Sequence, residues 1–423
     1  MNQERLNKEL DYQFDMTGEE GVYTLTWPSV GVIAEIERIR ENHDHEVKAE
    51  IRLSSQRPTS AGHIRQGRII LTSPTSRKSM AQMCNTRDNE VDWDQVLEQL
   101  SAAVLKTFRA GTPMITLTGN VDIQAQQRWF IEPVIQSYNP TLIYGPGSTG
   151  KSWFGQYLAV LADAGVSHGG LTVEPSTVLY ADWETDANEI DYRITMLRHG
   201  LGLTGQSGIR YMRLEQGLRN IVEDLRRNIL AEGVTFLILD SLGSACGGEP
   251  ESADVVLSMF SALRSLKITT LCIDHPNKEG HLFGSVYKFN NARQVFECKK
   301  SQQQEEDKLI FGMFHRKANN SKLIADMGWE LSFSEDAVTM ERRDVRDTPL
   351  EEHMRVVDRI ESLLRRGPLT AFDISEDLGK SESHIRKELS EWVRRGKFVS
   401  LKDGSHRYAN ASHLYEETST WQL

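Results

Sequence analysis

Cysteine is scarce: the 423-residue chain holds four, Cys84, Cys246, Cys272 and Cys298, far apart and with no C-x-x-C pair. That excludes a disulfide-stapled small scaffold and a sequence-local zinc site, and it suits a reducing compartment. Long apolar runs are absent too, and none approaches the roughly 18 residues a membrane span requires. The opening MNQERLNKEL is charged where a signal peptide is apolar. A cytoplasmic chain without membrane contact is expected. Basic excess is also missing. Lys and Arg number 49 against 60 Asp and Glu, a net charge of −11. The total therefore announces no DNA binder, although such binding depends on where cations cluster rather than on their sum. No internal repeat is evident.

What remains is an ordinary globular balance, 39% hydrophobic and 26% charged, with length for about two to four domains. Residues 22–27, 32–39, 47–53 and 64–71 alternate apolar and polar positions between turn-rich breaks, as antiparallel strands do. A helical stripe of Val96, Leu97, Leu100, Val104 and Leu105 follows, with Gly111 as its stop. From about residue 128 the pattern becomes apolar strands alternating with helices: TLIYG, TVLYADWE, IRYMRLE, VTFLILD, ITTLCIDH, ARQVFECKK and KLIFGMFHR. This is the signature of a doubly wound parallel α/β sheet. The polar SQQQEEDK (301–308) reads as a solvated hairpin loop, and ERRDVRDTPLEEH (341–353) as a charged linker. Three domains are expected: a small N-terminal α+β domain over 1–120, an α/β core over 125–340, and a third module over 350–415.

The strongest chemical signal is GPGSTGKS (145–152), which fits G-x-x-x-x-G-K-[ST] in full between a strand, TLIY, and a helix beginning KSWF. Glycines let the backbone wrap phosphates, and the helix-start N–H groups point at the anion. ATP with Mg²⁺ is the expected ligand. Gly145, Pro146, Gly147, Ser148, Thr149, Gly150, Lys151, Ser152 and Trp153 would surround it. Lys151 would neutralise β/γ charge and the Ser152 hydroxyl would ligate Mg²⁺. VTFLILD is an apolar strand ending in an acid, so Asp240 is the second magnesium candidate. Between them TVLYADWE ends in Asp182 and Glu184.

Walker A motif, strand with DWE, Walker B strand, then a strand ending IDHPNKEG: this order over about 128–334 resembles the RecA superfamily of AAA-type P-loop ATPases, in particular its RepA-like helicases and RadA-like recombination ATPases. The resemblance implies an ATP-hydrolysing homo-oligomer, a hexameric ring or a filament, acting on DNA. It gives Glu184 the role of orienting the attacking water; the other reading has Glu184 capping the following helix. It makes His275 a γ-phosphate sensor, against a buried histidine satisfied by hydrogen bonds. Lys278 resembles a lysine pointed at nucleotide, often across a subunit boundary. Arg316, with Lys317 beside it, stands where such assemblies place a cationic finger in the neighbouring site, against a plain surface charge pair. Two loops would line the axis, the glycine-rich 241–254 and 277–293; the second, with Lys278, His281, Tyr287, Lys288 and Arg293, would hold single-stranded DNA, against an ordinary surface loop followed by a core helix.

Residues 352–410 read as three helices and a hairpin turning at Asp403-Gly404, similar to winged helix-turn-helix domains. Ser381, Ser383, His384, Arg386, Lys387, Lys402, His406 and Arg407 are its candidate duplex DNA contacts, although such modules also dock proteins. A regulatory switch that uses ATP to control assembly without unwinding is the competing function. A small-molecule kinase is disfavoured, for no acceptor pocket or lid motif is visible.

Overall fold

The protein is described from a computed structural model covering residues 12–19, 21–58, 60, 62–111, 114–120, 129–276, 286–302, 307–319, 321–401 and 406–412. The chain divides into two compact units, Met1–Asn120 and Val121–Leu423.

In the first unit, period-two alternation builds an antiparallel sheet in sequential order: β1 (Asp15–Glu19), β2 (Val22–Trp27), β3 (Val32–Glu41), β4 (Val47–Ser55) and β5 (His63–Ile70). Two helices cover one face, α1 (Pro74–Asn85) and α2 (Trp93–Ala110). Asp92 caps α2 by accepting from the Gln95 N–H, and Gly111 ends it. Trp27, Trp93, Val96, Leu97 and Leu100 are buried between the layers.

The second unit opens with β6 (Trp129–Glu132) and β7 (Ile135–Gln136), a small sheet completed by β9 (Thr172–Val173). Its main elements then run β8 (Pro140–Tyr144), α3 (Lys151–Ala164), β10 (Val178–Asp182), α4 (Ala187–Gly200), β11 (Arg210–Arg213), α5 (Leu218–Glu232) and β12 (Phe236–Asp240). There follow α6 (Leu242–Ala245), α7 (Ala253–Ser265), β13 (Thr269–Asp274), α8 (Val286–Asn291), β14 (Gln294–Ser301), β15 (Lys308–Ala318), β16 (Met327–Phe333) and β17 (Val338–Arg343).

Nine strands form one sheet, β11-β10-β12-β13-β8-β14-β15-β16-β17. The six from β11 to β14 are parallel, but β15, β16 and β17 pair antiparallel. The expected all-parallel sheet is thus mixed. The connection after β14 is too short for a crossover helix, and hairpins must be antiparallel. The charged stretch 341–353 is not a linker either. Residues 341–343 belong to β17, and two 3₁₀ turns, Val345–Asp347 and Pro349–His353, bury Val345 and Leu350 with Phe314. Apolar residues spaced through a charged stretch decided that outcome.

Apolar cores lie on both faces of the sheet. One includes Phe154, Tyr157, Leu158 and Ile238, the other Leu239, Phe260, Leu263 and Cys272. β8 sits where strand order reverses: the chain leaves it toward β10 and later crosses it to reach β14. Ligands of such sheets bind at the carboxyl ends of strands at that switch point.

Beyond the sheet lie α9 (Val356–Leu364), β18 (Leu369–Thr370), α10 (Ala371–Leu378), α11 (Glu382–Arg394), β19 (Phe398–Ser400) and β20 (Arg407–Asn410). The first helix is shorter than the sequence suggested, because residues 349–353 form the 3₁₀ turn. The three helices and the β18-β20-β19 sheet share a core of Ile360, Ile374, Ile385, Leu389 and Phe398.

Candidate functional site

Buried β8 delivers the chain into the loop 145–150, and α3 starts at Lys151. Gly145 has no room for a side chain: a Cβ there would stand 2.4 Å from the Cys298 carbonyl oxygen of β14. Gly150, at φ +99°, turns the backbone into the helix and gives it no side-chain cap, so the first N–H groups of α3 are left for an anion. Lys151 is 4% exposed, and its Nζ donates to the carbonyls of Gly145 (2.7 Å) and Pro146 (2.8 Å). Thr149 Oγ1 also donates to Pro146. Burial lowers the Lys151 pKa, opposed by Cys298, Asp240, Glu184 and Asp274. The ammonium is held over the loop by two carbonyls that phosphate oxygens could replace.

Asp240 ends β12, buried, with Oδ2 accepting from the Tyr180 hydroxyl at 2.7 Å. Its Oδ1 is buried without a hydrogen-bond partner. Burial raises the Asp240 pKa, and the Tyr180 and Ser152 hydroxyls pull it back. An orphan carboxylate oxygen near the Ser152 hydroxyl is the donor set a magnesium ion fits. No group of three or more His, Cys, Asp or Glu capable of holding a metal occurs among the described residues. The ion would therefore take its other ligands from phosphate and water, as Mg²⁺ does.

Strand register brings the remaining groups to the same rim. Asp182 pairs opposite Asp240, and Asp240 opposite Ile273, so β10, β12 and β13 end together. Asp182 is spent on structure: it accepts from the N–H groups of Glu184 (2.9 Å) and Thr185 (3.1 Å) and from the Tyr211 hydroxyl (3.0 Å). That fixes the turn presenting Glu184. The helix α4 is capped by Asp186, which accepts from Asn188 and Glu189, so Glu184 is not its cap. Glu184 Oε1 lies 3.4 Å from His275 Nε2, both half exposed. The His275 hydrogen bond holds the Glu184 pKa below its ordinary value; Ser241 and Lys151 add to this and burial opposes it. His275 is partly exposed and faces Glu184, rather than being a buried, satisfied histidine.

These side chains line a cleft of about 490 Å³ that Ser148, Thr149, Gly150, Lys151, Ser152 and Trp153 share with Glu184, Asp240 and His275. Sequence reasoning missed its other wall: Arg193, Gln302, Leu309 and Phe333. The Arg193 guanidinium lies 5.3 Å from the centre of the Trp153 ring and pairs with Glu189 at 2.7 Å. Phe333 meets Trp153 edge-on at 5.6 Å. The Glu189–Arg193 spacing is legible as a helical pair, but nothing local says that it faces the phosphate loop.

Other candidates lie elsewhere. Arg316 does not line the cleft; it pairs with Glu297 (2.9 Å), donates to the His353 carbonyl (3.3 Å) and lies over Phe314. Lys317 donates to the carbonyls of Phe289, Asn290 and Ala292, each at 2.8 Å. Lys278, His281 and Lys402 fall outside the described residues, as does the Asp403-Gly404 turn. Tyr287 and Arg293 are exposed. Lys288, expected to hold DNA, is instead wholly buried and donates to Asp274 Oδ2 at 2.7 Å; the buried carboxylate at the end of β13 takes its ammonium. On α11, Ser381 is the N-cap and Arg386 pairs with Glu382. Ser383, His384, Lys387, His406 and Arg407 are exposed.

Residues 116–281 match the model of the AAA domain family. A search of curated proteins gave no match. Among solved structures, the chain is similar to a KaiC-like protein from the archaeon Pyrococcus horikoshii, at 16% identity and TM-score 0.37, over 54% of this chain and 99% of that one. It is also similar to the flagellar accessory protein FlaH from Methanocaldococcus jannaschii, at 15% identity and TM-score 0.36, over 50% and 91%.

Proposed function

We propose that this chain is a RecA-like Mg·ATP-dependent ATPase that acts on DNA as an oligomeric motor. One observation carries the ATPase part of the reading: Lys151, Ser152, Asp240 and the Glu184–His275 pair converge on one cleft at the carboxyl ends of neighbouring strands. Mg²⁺ held by Ser152 and Asp240 would supply charge neutralisation at the β/γ oxygens. Lys151 exchanges its two carbonyl partners for phosphate oxygens. Glu184, ionised, orients the attacking water and accepts its proton, and His275 registers the γ-phosphate through its contact with Glu184. Arg193 and Trp153 wall the outer cleft.

Action on DNA draws on the order of motifs and on the C-terminal module, read as a winged helix with exposed Lys387 and His384 on its third helix. Arg316 serves as the finger only if its Glu297 pair opens on assembly. ATP turnover measured with and without single-stranded DNA, across protein concentrations, tests the reading. Strong stimulation rising steeply with concentration is expected. Turnover indifferent to DNA favours the regulatory switch, which the net charge of −11 suits.

A further inference from the structure

At the opposite end of the sheet from the phosphate loop, where β8, β13 and β14 begin, lies a second cleft of about 520 Å³. Arg264, Lys267 and Arg293 line it, with Tyr138 at the rim. In a chain with net charge −11, a patch of one sign is informative. Among the described residues no carboxylate stands within ion-pair distance of Arg264, Arg293 or the nearby Lys317, and burial, followed by the charge of Arg293, depresses the pKa values of both Arg264 and Lys317. Arg293 thus repels both Arg264 and Lys317, with no carboxylate among the described residues to offset these three. Arg264 is aimed: it donates to the side chain and carbonyl of Asn291 and lies 5.9 Å over the Phe260 ring. Tyr138 is 69% exposed, an aromatic face with nothing packed on it sufficient to hide it. Three guanidinium and ammonium groups around a cleft with an open aromatic ring match a polyanion whose units carry both phosphates and flat bases.

We propose that this cleft is a binding site for single-stranded DNA, with Arg264 and Arg293 on successive phosphates and Tyr138 stacking a base. The proposal rests on the DNA-acting reading above and gives it a location away from the nucleotide. A mononucleotide would satisfy the same chemistry locally, whereas a strand engages several cations at once. The test is fluorescence anisotropy of labelled oligothymidylate at several salt concentrations, with fluorescent ATP analogue binding as the check on folding. Arg293→Glu, whose side chain makes no hydrogen bond or ion pair among the described residues, and Arg264→Gln should each weaken strand binding at least about tenfold. Each should also flatten the salt dependence by roughly 0.7 in log–log slope per lost phosphate contact. Tyr138→Ala should weaken it severalfold without changing that slope, and nucleotide binding should stay unchanged in all three. Wild-type strand binding with unaltered affinity and slope in both arginine variants overturns the site while leaving the DNA reading standing. Thymidine monophosphate competing as well as the oligomer overturns it in favour of a mononucleotide pocket. No strand binding by the wild type overturns the site and the DNA reading together.

Discussion

At the scale of single residues the strand–loop–helix turn around 145–152 was legible, because its pattern is local: a spacing of glycines, a lysine and a serine between a strand and a helix. The roles of its neighbours were not, since Gly145 is required by the Cys298 carbonyl on a strand far along the chain. Gly145 is one of the motif's two fixed glycines, whereas Gly147 stands at a free position. Gly145→Ala is expected to lose about 1–3 kcal/mol of stability and to displace the loop, while Gly147→Ala, whose Cβ would meet no protein atom within 4 Å, should keep the stability of the wild type. Urea unfolding and nucleotide affinity of the two variants decide it. Glu184 was placed by motif order, and the Asp186 cap removes its competing role. Because the His275 hydrogen bond depresses the Glu184 pKa, the carboxylate is ionised at and above its ordinary value. Loss of turnover from this group should thus appear only as pH falls below about 4.5. Glu184→Gln should bind nucleotide normally and slow turnover by about 10²–10⁴-fold; an unchanged rate would remove Glu184 from the chemistry.

Elements were predicted well where periodicity speaks and poorly where partners decide. Every strand expected in the core forms, but β16 and β17, which bury Trp329, Leu331, Val338 and Met340, were not among them. α8 is the sharper case. Its Lys288 looked like a DNA contact, yet it is buried against Asp274, and a side chain that folds inward leaves no mark in sequence. This pair ties α8 to the end of β13, one residue before His275. Removing one partner of a buried pair leaves an uncompensated charge, so Lys288→Met should cost about 3–5 kcal/mol. Adding Asp274→Asn should recover much of that loss in urea unfolding. Equal stabilities of single and double variants would show the pair to be uncoupled.

At the scale of the whole molecule, the chain divides after Asn120 into two units, and each has its own core. What composition could not show is where charge is buried. In β15, His315 hydrogen-bonds Gln294 and the Lys317 carbonyl, and burial lowers its pKa to about 4; beside it, burial raises Asp326 to about 6. Between pH 6.5 and 4 the unfolded chain takes up a proton at His315 that the folded chain refuses, so acidification destabilises. Between pH 6 and 3.8 the folded chain protonates Asp326 first, so acidification stabilises. His315→Gln removes the first slope, and its unfolding midpoint should fall less than that of the wild type as pH is lowered through this window. Parallel profiles would contradict the assignment.

The central claim is that the cleft holding Lys151, Glu184 and Asp240 hydrolyses ATP, and phosphate release from Mg·ATP by the wild type beside Lys151→Ala tests it most directly. The account predicts release by the wild type and a loss of about 10²–10³-fold in a folded Lys151→Ala protein; equal release by the two would contradict it.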